Sequence, residues 1–317
     1  MGKLRAVFHY AASAGIAARL AAAESDWLSI DSCAEDDDER LFELLAEADV
    51  LWHVLKPATA AVIAAAPKLR LIQKIGVGVN TIDLDATRAR DIAVCNMPGT
   101  NSQAVAEATV MLMLSALRRG ASFHDATRRG DGWRMDSAIF DRVGEISGRV
   151  VGLVGYGEVA RRVAPVLAAL GARVLYTAAS RKTDAQAEWR ELPALLAESD
   201  IISLHLPLTA DTENMLDAPA FAAMKPGAVL VNTARGGLVD QSALYDALTT
   251  GTLMAAGLDV FAQEPIAEGE PLLSLENLAL TPHVAWLTPQ TFDRSIDIAV
   301  QNSRCLIDGG DFRHRVA

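Results

Sequence analysis

The sequence is short of cysteine, of positive charge and of long apolar runs, and each shortage excludes a class of protein. Its three cysteines, Cys33, Cys95 and Cys305, are too few and too far apart for a disulfide framework or a metal knuckle, so we expect no bound metal. The formal net charge of −11 argues against nucleic acid and against a membrane surface as partners. No apolar run reaches the roughly 18 residues of a membrane span, and no apolar leader follows the N-terminus, so we expect a cytoplasmic protein.

The apolar residues that are present outline two domains. A chain of 317 residues that is 51% hydrophobic can fill two sizeable cores. Before Pro98, helical stretches alternate with strand-like runs at 4–9, 50–54, 69–75 and 92–95, and residues 27–30 could add a short strand. Alternation of this kind predicts a small doubly wound domain with a parallel sheet. Its acidic run, residues 35–39, is interpreted as a solvated loop that leads into a helix.

A long helix and a polar segment follow this domain. Pro98 and Gly99 break the pattern, and apolar residues from 105 to 116 then recur at helical spacing. Residues 121–147 are polar, partly basic and weakly patterned, with Trp133 and Phe140 among their few apolar side chains. This segment is either an arm that reaches to a second subunit or a surface loop that packs on its own domain.

Residues 150–160 have the pattern of a dinucleotide-binding turn. A run of apolar, mostly β-branched residues leads into Gly155, Tyr156 and Gly157, and a helical stripe begins at Val159. Gly155 permits a tight turn, and Gly157 lets backbone N–H groups approach a pyrophosphate at the start of a helix. Ala160 stands where the fingerprint has its third glycine, which the pattern tolerates.

The glycine turn opens a second alternating series. Its predicted strands are 150–154, 173–177, 201–204, 228–232, 254–258 and 278–280, which match the six strands of a Rossmann domain. Pro165 lies inside the first helix of this series, where it would remove a hydrogen bond and bend the helix. The last helix, residues 289–307, is expected to return to the first domain. The predicted fold is α/β with two doubly wound parallel-sheet domains: a Rossmann cofactor domain at 100–285, inserted in a flavodoxin-like substrate domain at 1–99 and 286–317.

Three residues that follow predicted strands suit the reduction of a 2-keto acid. This reaction needs a cation for the carboxylate, an acid that protonates the carbonyl oxygen, and hydride from a nicotinamide. Arg235 follows the strand at 228–232, and its planar guanidinium suits a bidentate grip on a carboxylate. His283 follows the last strand as the expected proton donor. Glu264 would hydrogen-bond to that imidazole and orient it.

The end of the second Rossmann strand bears on the choice of cofactor. An acidic residue there would select NAD by binding the adenosine ribose, but this chain has Ala178 at that place. Ser180, Arg181 and Lys182 follow, and a hydroxyl with two cations is what a 2′-phosphate needs. We predict that NADP(H) is preferred and that NAD(H) can also bind. In the alternative interpretation, Arg181 and Lys182 are ordinary surface charges and both cofactors bind.

Seven segments together resemble the D-isomer-specific 2-hydroxyacid dehydrogenase family, and the resemblance covers essentially the whole chain. They are IGVGVNTID at 75–83, NMPGTN at 96–101, the glycine turn, SLHLPLT at 203–209, NTARGGLVD at 232–240, GLDVF at 257–261 with Glu264-Pro265, and TPHVA at 281–285. The resemblance implies that Arg235 binds substrate, Glu264 supports catalysis and His283 is the general acid and base. It also implies a reductase of small 2-keto acids such as glyoxylate or hydroxypyruvate. Such a reductase would be a homodimer whose domains close about hinges near Pro98-Gly99 and Ala285.

The same resemblance assigns further contacts. The implied cofactor-binding residues are Gly155, Tyr156, Gly157, Glu158, Val159, Ser180, Arg181, Lys182, His205, Leu206, Pro207, Thr212, Thr233, Ala234, Asp259, His283 and Ala285. The implied substrate-binding residues are Leu55, Val77, Gly78, Arg235, His283 and Trp286. In this scheme residues 76–78 hold the substrate carboxylate through backbone N–H groups, and residues 54–56 form the wall around its side chain. His205 is interpreted as a wall of the nicotinamide site, and the other histidines outside the catalytic set as structural or exposed.

Several interpretations stay open at this point. Lys56 and Lys74 could serve an anionic group or be solvated surface, and Trp286 could close the pocket or belong to the core of the hinge. A dinucleotide-sensing protein of the corepressor type would also keep the catalytic set, but no low-complexity tail is visible to recruit a partner. Because the chain stops soon after its last helix, we expect no appended regulatory domain of the phosphoglycerate dehydrogenase kind. Phosphite-oxidising relatives have a lysine where this chain has Asn80, which disfavours that reaction.

Overall fold

A computed structural model describes residues 2–134 and 136–317 of the chain. The described residues form two compact units. The first unit comprises the residues up to Asn101 together with Leu287–Ala317, and the second lies within Ser102–Trp286. Each unit has its own parallel β-sheet and its own hydrophobic clusters.

The first unit is built on a five-stranded sheet. Its strands are β1 (Leu4–His9), β2 (Leu28–Cys33), β3 (Val50–His53), β4 (Leu71–Lys74) and β5 (Ala93–Cys95). Their order is β2-β1-β3-β4-β5, and every pairing between them is parallel. The intervening helices are α1 (Ala14–Ala23), α2 (Asp38–Leu45), α3 (Ala60–Ala64) and α4 (Leu84–Arg88). The strand order reverses between β1 and β3, so the carboxyl ends of these strands flank a topological switch point, where ligands bind in such sheets.

Polar residues begin each of these four helices. The side chains of Ser13, Asp37, Thr59 and Asp83 accept hydrogen bonds from N–H groups in the first turns, which would otherwise lack partners. The acidic run at 35–39 therefore does lead into a helix, as predicted. Every residue of β3 and β4 is buried, as is typical of parallel strands that are covered on both faces.

The second unit is built on a seven-stranded parallel sheet. Its strands are β6 (Val150–Val154), β7 (Arg173–Thr177), β8 (Glu188–Trp189), β9 (Ile201–Leu204), β10 (Ala228–Asn232), β11 (Leu253–Leu258) and β12 (Leu278–Leu280), in the order β12-β11-β10-β9-β6-β7-β8. Its helices are α5 (Ser102–Arg118), α6 (Gly120–Arg129), α7 (Glu158–Ala169), α8 (Leu192–Glu198), α9 (Ala218–Ala222) and α10 (Gln241–Thr249). Short 3-10 helices lie at Ser137–Arg142, Gly236–Leu238 and Pro271–Ser274.

The central strands of this sheet separate two hydrophobic cores. In β10, Leu230 packs in one core, whereas Val229 and Val231 pack in the other. Alternate side chains of a strand point to opposite faces, so this division shows that helices cover both faces of the sheet. The predicted doubly wound architecture is confirmed for both units.

The last helix, α11 (Pro289–Asp308), returns to the first unit as predicted. Trp52 of β3 is fully buried, and its indole N–H donates to Ser303 Oγ at 3.3 Å. Asn302 Nδ2 donates to Gln73 Oε1 at 2.6 Å. After the helix, the Val94 N–H donates to the carbonyl oxygen of Ala317 at 3.0 Å, so the last residues pair with β5.

Two predictions about the second unit need correction. The sheet has seven strands rather than six, because the two-residue strand β8 extends it beyond β7. Residues 121–147, expected to be a weakly patterned arm or loop, contain most of α6 and the 3-10 helix Ser137–Arg142. Met135 of this segment is outside the described residues. Pro165 lies inside helix α7, where it was expected. Among the described residues, no helix is both long enough and apolar enough to cross a bilayer.

Candidate active site

The three predicted catalytic residues follow neighbouring strands of the second unit. Arg235 lies after β10, Glu264 after β11 and His283 after β12. These strands are adjacent and parallel, so their carboxyl ends lie at one edge of the sheet, which is the edge where ligands bind in folds of this kind. The fold thus brings the three residues to the same edge.

Glu264 and His283 are in direct contact. His283 Nδ1 and Glu264 Oε2 are 2.5 Å apart, and Glu264 Oε1 accepts a hydrogen bond from the Phe261 N–H at 2.9 Å. Burial by itself would raise the pKa of Glu264, but the hydrogen bond and charge of His283, the Phe261 N–H and the charge of Arg235 outweigh it and hold that pKa below its ordinary value. A carboxylate is therefore present to stabilise a protonated imidazole, and Nε2 is left for proton exchange.

The backbone of His283 is strained, and Asp259 holds it in place. His283 has a φ of +56°, in the left-handed region that residues other than glycine rarely adopt. The buried carboxylate of Asp259 accepts hydrogen bonds from Thr281 Oγ1 at 2.6 Å, the Val284 N–H at 2.9 Å and the Ala285 N–H at 3.0 Å. The Asp259 carbonyl oxygen also accepts the His283 N–H at 2.7 Å. Asp259 therefore fixes the segment that carries the His283 imidazole.

Arg235 is a partly buried cation. Its Nη1 donates to the Ala234 carbonyl at 2.6 Å, and it takes part in none of the ion pairs among the described residues. Burial lowers the pKa of Arg235, and the charge of Glu264 offsets this in part. Gly236 allows the loop to pack here, because a Cβ at that position would overlap the Phe261 carbonyl group. Since a buried charge is unfavourable without a counter-ion, Arg235 is well suited to bind a carboxylate.

The glycine turn after β6 leaves room for a pyrophosphate. Gly155 has a φ of +94°, and a Cβ there would collide with the carbonyl group of His205. A Cβ built on Gly157 would meet no described atom within 4 Å. Because Gly157 has no side chain that could cap α7, the first N–H groups of this helix stay available to an anion. These features fit the phosphates of a dinucleotide.

The side chain of Tyr156 is not part of this opening. It is 4% exposed, and its ring lies 4.4 Å from that of Tyr176. Its hydroxyl accepts a hydrogen bond from the Gln186 N–H at 2.9 Å. A cofactor contact of Tyr156 would therefore involve its backbone.

The loop after β7 carries the residues predicted to select the cofactor. Lys182 Nζ donates to Ser180 Oγ at 3.0 Å, and Arg181 Cζ lies 3.9 Å from the centroid of the Trp189 ring. Neither Arg181 nor Lys182 takes part in an ion pair among the described residues. The loop therefore offers one hydroxyl and two cations that form no ion pair in the described part of the chain, although the charge of Lys182 helps to lower the pKa of Asp184.

The predicted wall of the nicotinamide site is held by side-chain hydrogen bonds. His205 Nε2 lies 2.9 Å from Ser203 Oγ, and burial lowers the pKa of His205 to about 4. This histidine is therefore neutral near pH 7 and poorly suited to donate the catalytic proton. Thr212 Oγ1 donates to the Pro207 carbonyl at 2.8 Å, which fixes the loop after β9. The other residues predicted to line the cofactor site lie beside these elements: Glu158 and Val159 in the first turn of α7, Leu206 after β9, Thr233 and Ala234 after β10, and Ala285 after β12.

In the first unit, the loop predicted to surround the substrate side chain is anchored by an acidic residue. Glu35 Oε1 accepts hydrogen bonds from the Leu55 N–H at 3.2 Å and from the Lys56 N–H at 2.7 Å. Lys56 Nζ donates to the Glu35 carbonyl at 2.7 Å and to Asp38 Oδ1 at 2.6 Å. Asp36–Glu39 are exposed, as expected for a solvated run, and the structure adds contacts of Glu35 and Asp38 that the sequence does not indicate. This run fixes the loop after β3 and neutralises its lysine.

The loop after β4 carries Val77 and Gly78. Val77 is 44% exposed, and its carbonyl accepts a hydrogen bond from Asn96 Nδ2 at 2.9 Å. Lys74, the last residue of β4, is only 5% exposed and donates from Nζ to the Val54 carbonyl. Lys74 is therefore not the solvated surface lysine that was one of the two expectations, and its charge is used inside the first unit.

Trp286 and two of the remaining histidines are buried. Trp286 is 7% exposed, and its indole N–H donates to the His283 carbonyl at 2.9 Å, which agrees with the interpretation as a core residue. In the first unit, His9 and His53 are buried, and His53 Nε2 lies 2.9 Å from Thr81 Oγ1. No group of three or more potential metal ligands occurs among the residues that the structure describes.

Comparison with known proteins identifies relatives along most of the chain. A family model described as "D-isomer specific 2-hydroxyacid dehydrogenase, NAD binding domain" matches residues 110–285. A D-3-phosphoglycerate dehydrogenase of Mycobacterium bovis is 40% identical over 280 residues, which are 86% of this chain and 52% of the relative. The chain thus spans about half the length of the phosphoglycerate dehydrogenases that it matches.

Two further relatives match over most of their own length. A glyoxylate reductase of Aeropyrum pernix is 37% identical over 272 residues, which cover 83% of this chain and 81% of the relative. A crystal structure of TT0316 protein from Thermus thermophilus superposes with a TM-score of 0.88 at 33% identity, and the match covers 99% of this chain and 100% of that one. Both matches therefore extend over the two α/β units of this chain.

Proposed function

The chain belongs to the D-isomer specific 2-hydroxyacid dehydrogenase family, and from this premise we propose that it transfers hydride from NADPH to a small 2-keto acid of the glyoxylate or hydroxypyruvate type, which gives the D-2-hydroxy acid. The observation that carries the proposal is the 2.5 Å contact of Glu264 with His283, at the sheet edge that also bears Arg235. This set supplies a proton donor, a carboxylate that stabilises its charged form, and a cation for the substrate carboxylate. In this proposal the second unit is the dinucleotide-binding domain and the first is the substrate domain.

Each residue of the set has one task. The guanidinium of Arg235 binds the substrate carboxylate. His283 gives the proton on Nε2 to the carbonyl oxygen while the carbonyl carbon is reduced, and Glu264 stabilises the imidazolium through Nδ1–H before that transfer. A bound nicotinamide dinucleotide supplies the hydride. The N–H groups that follow Gly157 would hold its pyrophosphate.

The preference for NADPH rests on the loop after β7. Ala178 leaves the end of that strand without the carboxylate that would repel a 2′-phosphate. A charge-assisted hydrogen bond from Arg181 would contribute about 1.5 to 3 kcal/mol. Arg181→Ala should therefore raise the KM for NADPH by about tenfold or more and change the KM for NADH by less than about twofold. An equal rise for both cofactors would contradict the preference.

The first unit favours a substrate whose side chain is uncharged. The proposed substrate contacts there are Leu55, Val77 and Gly78. Lys56, beside them in the chain, is already bound by Asp38 and lies next to the acidic run 35–39. A phosphate group brought to this loop would be disfavoured by the carboxylates of the run 35–39, since Lys56 is paired with Asp38 and Lys74 Nζ is bound by the Val54 carbonyl. This supports glyoxylate or hydroxypyruvate over a phosphorylated keto acid.

We also propose that the protein is a homodimer. Trp133 and Phe140 of the segment 121–147 are 81% and 69% exposed, and Met111 of α5 is 51% exposed. Burial of such side chains against a second copy would contribute roughly 25 cal/mol per Å² of apolar surface. Light scattering after size exclusion should give twice the mass of the chain. A monomer at micromolar concentration would refute the proposed dimer.

Analysis of the product tests the proposed reaction. Purified protein with NADPH and hydroxypyruvate should consume NADPH, and chiral chromatography of the glycerate should show the D-isomer. Glyoxylate, pyruvate and phosphohydroxypyruvate in parallel reactions rank the substrates. Formation of L-glycerate, or no turnover with any of these keto acids, would overturn the proposal.

A further inference from the structure

The edge strand β8 brings an aromatic ring under Arg181. Trp189 of β8 lies opposite Tyr176 of β7 in the sheet. The guanidinium carbon of Arg181 lies 3.9 Å from the centroid of the Trp189 ring, well within the range of a cation–π contact. Trp189 also packs against the hydrophobic core of the second unit, so the guanidinium rests on a ring that the fold itself holds.

The position of β8 does not depend on Arg181. Glu188 accepts two hydrogen bonds from Arg173, at 2.9 and 2.7 Å. Arg190 donates from its N–H to the Tyr176 carbonyl at 2.8 Å and from Nε to Glu198 Oε1 at 2.9 Å. These contacts flank Trp189 on both sides. The ring is therefore set in place before any ligand reaches the loop.

A stacked guanidinium keeps its hydrogen-bond donors for other partners. The guanidinium carbon lies over the Trp189 ring, and this contact uses none of the N–H donors, which lie in the plane of the group. No carboxylate of the described residues forms an ion pair with Arg181, and Asp184 of the same loop is bound by Arg161 at 2.7 Å. An exposed arginine without such a support would sample many rotamers and would lose that freedom on binding.

We propose that Trp189 is a positioning residue for the choice of cofactor: its indole holds the Arg181 guanidinium in the orientation in which the edge N–H groups bind the 2′-phosphate of NADPH. The inference rests on the proposed preference for NADPH and adds to it a residue that does not itself touch the phosphate. It requires an aromatic face at position 189, not merely an apolar side chain.

Two substitutions of Trp189 separate this role from simple packing. Trp189→Phe keeps an aromatic face, and Trp189→Leu keeps apolar volume without one. KM and kcat are measured for NADPH and for NADH in both variants, in Arg181→Ala and in the double variant Arg181→Ala with Trp189→Leu. We expect Trp189→Leu to raise the KM for NADPH about fivefold while kcat and the KM for NADH change by less than about twofold. Trp189→Phe should stay within about twofold of the unmodified protein, and the double variant should be no worse than Arg181→Ala.

The outcomes distinguish this inference from the proposed cofactor preference. If Arg181→Ala weakens NADPH alone but Trp189→Leu has no effect, or has the same effect on both cofactors, the positioning role is refuted and the preference stands. If the two substitutions add fully in the double variant, Trp189 acts independently of Arg181 and the inference also fails. If Arg181→Ala changes neither KM, the preference itself is wrong and the inference fails with it.

Discussion

Asp259→Asn should reduce turnover more than it weakens cofactor binding, because Asp259 holds His283 in a strained conformation. Its carboxylate accepts three hydrogen bonds, from Thr281, Val284 and Ala285, at 2.6 to 3.0 Å. An amide nitrogen in place of Oδ2 would face the Ala285 N–H, so one hydrogen bond to a charged group is lost, which costs about 2 to 3 kcal/mol. Without this hydrogen bond, the left-handed backbone conformation of His283 is less stable relative to other conformations. We therefore expect kcat to fall about 30- to 150-fold.

The assay compares kcat for hydroxypyruvate with the Kd of NADPH, the latter from the quenching of tryptophan fluorescence. Asp240→Asn is the matched control, since the Asp240 carboxylate also accepts two backbone N–H groups, at 3.0 and 3.1 Å, but caps α10 instead. Asp240→Asn should leave kcat within about twofold. A kcat that stays normal in Asp259→Asn while the Kd of NADPH rises would refute the positioning of His283 by Asp259 and favour a direct contact with the cofactor.

Three further substitutions test other parts of the molecule. Asp38→Asn should remove the carboxylate partner of Lys56, whose Nζ also donates to the Glu35 carbonyl, and raise the kcat/KM ratio of phosphohydroxypyruvate to hydroxypyruvate about fivefold. Asp85→Asn, which removes an exposed acid on α4, should not change that ratio. An unchanged ratio in Asp38→Asn would count against repulsion by the acidic run. Because burial lowers the pKa of His205 from 6.5 to about 4, the unfolded chain binds this proton more readily, so the contribution to stability is complete above about pH 6.5 and is lost as the pH falls towards 4. Between pH 7.5 and 5 this lowers the free energy of unfolding by about 2 kcal/mol. In urea unfolding, the free energy of His205→Asn should therefore fall by about 2 kcal/mol less over this pH range than that of the unmodified protein. An equal fall in both proteins would contradict the lowered pKa of His205. Glu264→Gln removes the charge, and its one carbonyl oxygen can accept from His283 or from the Phe261 N–H but not from both. We expect kcat to fall about 10²- to 10³-fold with an unchanged Kd for NADPH. Full activity would show that neither the charge nor the second hydrogen bond is needed.

Features with a strong local signal could be predicted from the sequence. The glycine turn is one example: the apolar run before it forms β6 at the predicted residues, and α7 begins directly after Gly157. The alternation of strands and helices predicted both parallel sheets, because a buried strand and an amphipathic helix each leave a distinct periodicity. The sheet edge shared by Arg235, Glu264 and His283 followed from their places after successive strands.

Features that depend on contacts between distant residues could not be predicted. Glu35 bonds to N–H groups that lie twenty residues along the chain, and nothing in the acidic run indicates that partner. The resemblance implies a cofactor contact for Asp259, whereas no signal in the sequence indicates its hydrogen bonds to the segment of His283, which form where β11 and β12 are paired. Strand β8 has two residues, too few to show any alternation, so the ring of Trp189 beside Arg181 was also missed.

The catalytic role of His283 is tested most directly by the kcat for hydroxypyruvate with NADPH in His283→Ala. The control is His124→Ala, which removes an exposed histidine on α6 of the same unit. Proton donation by His283 predicts that kcat falls about 10²- to 10⁴-fold in His283→Ala. The Kd of NADPH should stay within about twofold of that of the unmodified protein, and the kcat of His124→Ala should be unchanged. Turnover by His283→Ala at a rate near that of the control would contradict the assignment of His283 as the proton donor.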